Sequence, residues 1–245
     1  MGWVGHARDQ GVSGATIRKQ ISHLRGFLDY AWRSGRVDRN VLDGFTLNDA
    51  ASLIAPRVLS IEETQRLIAS LSSKNKGSRR TRMIVLLLYG CGLRTGELCA
   101  LNVGDIDHEM QDIYVRKGKG DIQRRIPVPD GVWTELLAYL RDRSGTQGAL
   151  FKSEATNCRI TVRGIQLVVR DAVIRAGLAP DITPKTLRHT FATHLMDAGV
   201  DVGIISSLMG HKSPRETGVY LHALEKGKKA AIKNLSFEDT GEEQK

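Results

Sequence analysis

In the stretch Cys91-Gly-Leu-Arg-Thr-Gly-Glu-Leu98, Arg94 follows a glycine break and precedes a helical pattern. Backbone N–H groups at a helix start attract anions, and an arginine placed there can grip a phosphate through two parallel hydrogen bonds. In Thr183-Pro-Lys-Thr-Leu-Arg-His-Thr-Phe-Ala-Thr-His194, Lys185 and Arg188 stand three residues apart, on one face of the predicted helix. Two cations held side by side in a packed helix repel each other unless an anion lies between them. In Gly210-His-Lys-Ser-Pro-Arg-Glu-Thr-Gly-Val-Tyr220, His211 occupies a turn between two predicted helices, and Tyr220 lies about two turns into the second. Each stretch alone has an ordinary reading as well. Arg94 can sit on a solvated loop, Lys185 and Arg188 on a solvated basic face, and Tyr220 in a core or an interface. Together they supply cations for an anion and a hydroxyl that can act as a nucleophile.

The elements that would position these residues follow from periodicity and punctuation. Ile17, Ile21, Leu24, Leu28 and Ala31 make one buried stripe on a helix from Ser13, its N-cap, to Gly35. Arg18, Lys19 and Arg25 lie off that stripe. A short second helix is expected within Asn40–Pro56, and an N-terminal unit of about 56 residues is marginal as an independent core. Ser60-Ile-Glu-Glu63 is a capping box that opens a helix through Leu71. Lys74–Arg82 reads as a polar, basic connection into the apolar run Met83–Tyr89, which Gly90 and Gly92 break; a further helix carries Leu98 and Leu101. Asp105–Asp107, Ile113–Val115 and Ile126–Val128, with Gly118 and Gly120 between the last two, predict a small antiparallel sheet. Beyond Asp130 the pattern is helical. Thr183 caps a helix with Pro184 at its first position, and Leu187, Phe191 and Leu195 should face the core. Gly210 ends the helix of Ile204, Ile205 and Leu208, and Ser213–Glu216 caps the next. The fold class expected is mainly α with a small antiparallel β-sheet. Residues 1–56 form a helical domain, 57–235 the main domain, and 236–245 a polar tail.

A hydrophobic share of 41% and a charged share of 26% suit a globular chain with a real core. The net charge of +9 favours a polyanionic partner, because neutralised phosphates release counterions. No apolar run approaches the roughly 20 residues of a membrane span, and the first ten residues do not read as a signal peptide. Cys91, Cys99 and Cys158 are too sparse for a disulfide framework and lack metal-ligand spacing. Reduced thiols and a cytoplasmic setting are therefore expected.

The three stretches, in this order, resemble the tyrosine recombinase or phage integrase family. Its marks are the Gly-Leu-Arg-x-x-Glu-Leu box around Arg94 and Glu97, the Leu-Arg-His-x-Phe-Ala-Thr-His box around Arg188, and Gly210-His211 followed by Tyr220 at family spacing. Gly118-Lys-Gly120, with Arg124 and Pro127 beyond, resembles the family's hairpin lysine loop and favours Lys119 over Lys117.

The resemblance implies a recombinase that joins Tyr220 to the 3′ side of a broken DNA strand. Arg94, Arg188, Lys185 and His211 would hold the phosphate, and Lys119 would protonate the leaving oxygen. Glu97 would orient its neighbours, and Arg18, Lys19, Arg25, Lys117 and Arg124 would contact DNA. The implied partner is double-stranded DNA, bound by a homo-tetramer on paired sites. No metal, other cofactor, small-molecule substrate or membrane is implied. Two departures stand out: Lys185 occupies a position where many relatives have histidine, and the N-terminal clamp is shorter than the family's. Two other readings share these residues. One is a non-catalytic DNA-binding regulator derived from a recombinase; the other is topoisomerase IB-like nicking and closing without strand exchange.

Overall fold

Residues 83–88 are apolar without a polar interval, and a helix with no polar side has to be surrounded. In a computed structural model, which describes residues 2–47, 56–71, 76–116, 123–143, 145 and 147–210, that is what happens. The chain divides into two units, Met1–Ala55 and Pro56–Lys245.

The first unit holds α1 (Trp3–Asp9) and α2 (Gly14–Arg33). The Ser13 side chain accepts from the Thr16 amide, as a capping serine should, and Gly35 takes a positive φ of 68° just past the helix. Ala7, Ile17 and Ile21 form a small core with Val4, Val12, Leu42 and Leu47 packed on it. The buried stripe is interrupted within its sequence pattern: Ile17, Ile21 and Ala31 are buried, whereas Leu24 is 48% exposed. The described part of the expected second helix, residues 40–47, is a strap of turns. Side chains pin it: Asn40 reaches Asp29 Oδ1 at 2.5 Å, and Arg25 donates to the carbonyls of Leu42 and Phe45.

In the second unit, α3 (Ile61–Ala69) opens on the Ser60–Glu63 capping box. Helix α4 (Lys76–Gly90) is central and packs against α6 (Asp130–Asp142), α7 (Val162–Arg175) and α8 (Pro184–Asp197). The described part of the expected basic connection, residues 76–82, is the first half of α4 instead. Its cations face outward onto acidic partners on α6 and beyond: Arg79 pairs with Asp142, and Arg82 with Glu135 at 3.0 Å. Arg80 meets Glu154 at 3.3 Å. Arginine and lysine are good helix formers, so a basic stretch with such partners is compatible with a helix.

After α4 come the short α5 (Thr95–Ala100), a 3₁₀ turn at Val103–Asp105, and three antiparallel strands in sequence order. These are β1 (Ile106–Asp107), β2 (Asp112–Val115) and β3 (Arg124–Pro127), with Ile113 opposite Ile126 and Val115 opposite Arg124. Residues 147–161 are non-helical, tied down by the bridges Asn102↔Ala149 and Lys152↔Arg159. Helix α9 (Val202–Met209) packs on α8 and β3 and ends at Gly210. No helix among the described residues is long and apolar enough to cross a membrane.

Candidate active site

Two glycine-dependent turns set the geometry of the site. Gly92 has φ +59°, and a Cβ there would lie 2.4 Å from the Phe191 ring, so the strand of backbone between α4 and α5 can press onto α8 only as glycine. That approach brings the Gly92 carbonyl onto Arg188, whose Nη1 donates to it. Gly210 is left-handed at φ 61° and ψ 48° and closes α9.

Arg94 is the N-cap of α5, and its amide donates to Glu97 Oε2 at 2.8 Å. Its guanidinium donates to Glu97 Oε1 at 3.0 Å and to the Gly210 carbonyl at 2.9 Å. Arg188, on α8, is 8% exposed; Nη2 donates to the Met209 carbonyl at 2.6 Å, and Nη1 lies 3.8 Å from Glu97 Oε2. Arg94 and Arg188, far apart in sequence, thus converge on one carboxylate at the end of α9.

A third arginine completes the cluster. Arg124 binds Glu97 through both Nη groups, at 2.8 and 2.9 Å, and its Nε donates to the Leu208 carbonyl at 2.6 Å. Three successive carbonyls, 208 to 210, therefore each receive a different guanidinium. The C-terminal carbonyls of a helix lack partners within it and carry its negative end, so cations are the fitting donors. Burial alone would raise the Glu97 carboxyl. Hydrogen bonding and charge from Arg124, the Arg94 amide and the charge of Arg188 outweigh it and hold that carboxyl below the usual range.

These contacts bear on two expected DNA contacts. Arg124 is only 9% exposed, and its donors are engaged by Glu97 and Leu208. The strand alternation that buries Ile126 also turns Arg124 inward and Arg125 outward, a signal present in the sequence. Arg25 is spent on the strap carbonyls of its own unit. Lys19 is exposed on α2, and Arg18 is half-buried.

Lys185 is exposed and does not join the Glu97 cluster. It lies in a cleft of about 430 Å³ between Thr95 at the start of α5 and Pro184 at the start of α8. Arg163, Gln166 and Arg170 of α7 line the same cleft. Sequence reasoning missed that wall, although these residues stand three and four apart, the spacing of one helix face. It also missed the anchorage of α8. Thr190 accepts from the Leu59 amide at 3.1 Å, and His194 lies 3.0 Å from both the Leu59 carbonyl and the Tyr89 hydroxyl. Lys117, Lys119, His211 and Tyr220 lie outside the described residues, as do Ser213–Glu216 and the tail. Among the described residues, no group of three or more His, Cys, Asp or Glu side chains is placed to hold a metal ion.

Comparison with known proteins bears on the family and the fold. The profile of the phage integrase family matches residues 57–226. The tyrosine recombinase XerA of Pyrococcus furiosus is 38% identical over 232 residues, 94% of this chain and 77% of that one. The tyrosine recombinase XerD of Oceanobacillus iheyensis is 32% identical over 96% of this chain and 79% of its own. Among solved structures, the crystal structure of XerA recombinase matches with a TM-score of 0.64 and 28% identity, over 92% of this chain and 78% of that one. The Tn1549 transposon integrase in complex with transposon right end DNA shares the fold, with a TM-score of 0.79 at 22% identity over 95% and 83% of the two chains. The chain belongs to the phage integrase family. Within that family it is a tyrosine site-specific recombinase, and its mainly helical second unit with a three-stranded sheet has the catalytic fold of that class.

Proposed function

We propose that this recombinase cuts and rejoins double-stranded DNA with Tyr220 as nucleophile. Support comes above all from the convergence of Arg94 and Arg188 on Glu97, where three guanidiniums share one carboxylate. Such a cluster holds more positive than negative charge in a partly buried place, and a phosphodiester is the anion that suits planar, forked donors.

The Tyr220 hydroxyl attacks phosphorus and passes its proton to solvent water as the bond to the 5′-oxygen breaks. Arg94 and Arg188 stabilise the charge that grows on the non-bridging oxygens, and His211 donates to the same group. Lys119 gives its proton to the departing oxygen, leaving a 5′-hydroxyl and a 3′-phosphotyrosyl link. A 5′-hydroxyl from a partner strand reverses the sequence and reseals the DNA, so bond energy is conserved and the chemistry calls for no external energy source. Lys185, on the exposed wall of the cleft, donates to a phosphate oxygen beside the reacting one, a role its flexible ammonium fills as a point charge. Arg163, Gln166 and Arg170 extend a polar wall from that point along which duplex DNA can run.

In this reading residues 1–56 are a DNA clamp, with Arg18 and Lys19 toward the backbone, residues 57–235 are the catalytic domain, and 236–245 are a tail. Lys117 steadies the DNA beside Lys119. Exchange between two duplexes requires four protomers, a homo-tetramer working in the cytoplasm.

The test uses short duplexes tiled across the host DNA around the coding sequence. Wild-type protein is expected to leave a covalent protein–DNA adduct on one of them, and Tyr220→Phe none. An adduct formed equally by Tyr220→Phe would remove that residue as nucleophile. Binding without any adduct from wild type would leave a DNA-binding regulator.

A further inference from the structure

Buried ion pairs are poor stabilisers: two charges withdrawn from water gain back about what they lose, and apolar side chains of the same volume do as well. The pair Arg124–Glu97 therefore asks for a reason. Both side chains are 6% exposed, and the contact is a two-point fork. A fork fixes a carboxylate in its plane as a single point charge cannot. The plane matters because the other edges of the same carboxylate receive the Arg94 amide, the Arg94 guanidinium and the charge of Arg188. Arg124 also ties that carboxylate to the end of α9, since its Nε holds the Leu208 carbonyl. Gly210 is shaped around it, for a Cβ there would lie 2.8 Å from Arg124 Nη1.

We infer that Arg124 is a positioning residue of the recombination reaction, which aims Arg94 and Arg188 at the scissile phosphate by fixing the Glu97 carboxylate against the α9 terminus. It touches no substrate. Its place at the first position of β3 couples two parts, the arginine pair and the α9 terminus at Gly210, to the strand that follows residues 117–122 in the chain. The inference rests on the reading of Arg94 and Arg188 as phosphate ligands given above.

The experiment compares single-turnover cleavage of two nicked duplexes carrying the sequence trapped by wild-type protein. One has an ordinary scissile phosphate and the other a neutral methylphosphonate in its place. A neutral linkage has less need of aimed cations. Arg124→Lys keeps the charge and loses the fork. Its cleavage of the ordinary duplex is expected to fall about tenfold or more, and its cleavage of the methylphosphonate to stay within about threefold of wild type. DNA affinity, measured by gel shift on the same duplex, should change less than about threefold. Arg124→Gln, which keeps an N–H for Leu208 and gives up the charge, serves in the same assay if lysine does not fit. Equal losses on both substrates would assign Arg124 a merely structural role and overturn the inference, as would unimpaired cleavage of the ordinary duplex. In either case the reading of Tyr220, Arg94 and Arg188 would stand. Failure of wild type to cleave any duplex would remove that reading and the inference together.

Discussion

Glu97 is a carboxylate whose ionised form is held by three guanidiniums and an amide, so its charge is tied to the folded state. Its folded pKa lies below the ordinary value, and such a group stabilises the protein above its unfolded pKa of about 4.3. That contribution fades as the pH falls through the depressed folded value. Glu97→Gln, which cannot ionise, should be less stable than wild type at neutral pH by about 3–5 kcal/mol, since it strands buried guanidiniums. The gap should narrow once the pH drops below about 4, because wild type loses what the variant never had. Urea midpoints of both proteins between neutral pH and the acid limb check this. A gap that stays constant would mean that Glu97 acts through shape alone. At this scale the sequence was only partly legible. Arg94, Arg188 and Glu97 can be named from their boxes, but Arg124 reads as a DNA contact, because a basic residue beside glycines looks solvent-facing. Counting back by twos from Ile126 would have turned it inward.

Helix α8 depends on two devices at its ends and middle. Thr183 accepts from the Thr186 amide at the start, and Thr190, fully buried, holds the amide of Leu59 in the segment that enters the second unit. These devices differ in cost. Losing a cap leaves donors that water can reach, whereas losing the Thr190 hydroxyl leaves a buried N–H without a partner. Thr190→Val should therefore destabilise by about 1–3 kcal/mol, against about 1 kcal/mol for Thr183→Ala, as read from denaturant unfolding. Equal effects would show that the Leu59 amide finds another acceptor. Elements with strong local signals were legible: the Ser60 and Thr183 caps and the Gly210 stop stand where their residues placed them, whereas β3 spans Arg124–Pro127 and begins two residues ahead of the expected Ile126. The misses were decided by partners far along the chain. The basic stretch ahead of Met83 became helix because Asp142, Glu135 and Glu154 wait for its arginines. The strap at 40–47 stayed irregular because Asn40 and Arg25 hold its backbone.

The two units differ in how much apolar surface they hide. The first has a core of Ala7, Ile17 and Ile21 and leaves Leu24, Phe27, Tyr30 and Trp32 about half exposed or more. The second surrounds α4, where Ile84, Val85, Leu87 and Leu88 are fully buried. Stability at this scale should come from the second unit, because small cores hide too little surface to offset chain entropy. A chain of residues 56–245 is expected to unfold cooperatively within about 5 °C of the full chain, since about 1 kcal/mol moves a domain of this size by only a few degrees. Residues 1–55 alone should show no cooperative transition. Calorimetry of both pieces decides it, and a sharp transition in the short piece would refute this partition. The fold class was readable from the sequence because a helix that must be surrounded leaves an unbroken apolar run, and short β-prone runs stand apart from it. How much of the α2 stripe would be covered was not, since that depends on where the strap runs.

The three guanidiniums on carbonyls 208 to 210 also bear on how such an enzyme can be re-engineered. A chimera that joins the α9 terminus and everything after it from another recombinase would inherit a foreign backbone beneath Arg94, Arg124 and Arg188. Even with every reacting side chain present, the graft would part the three guanidiniums from the carbonyls they hold here. The exchangeable module is therefore not a stretch of sequence. It is a set of four remote pieces, 92–97, 124, 188 and 208–210, that must travel together.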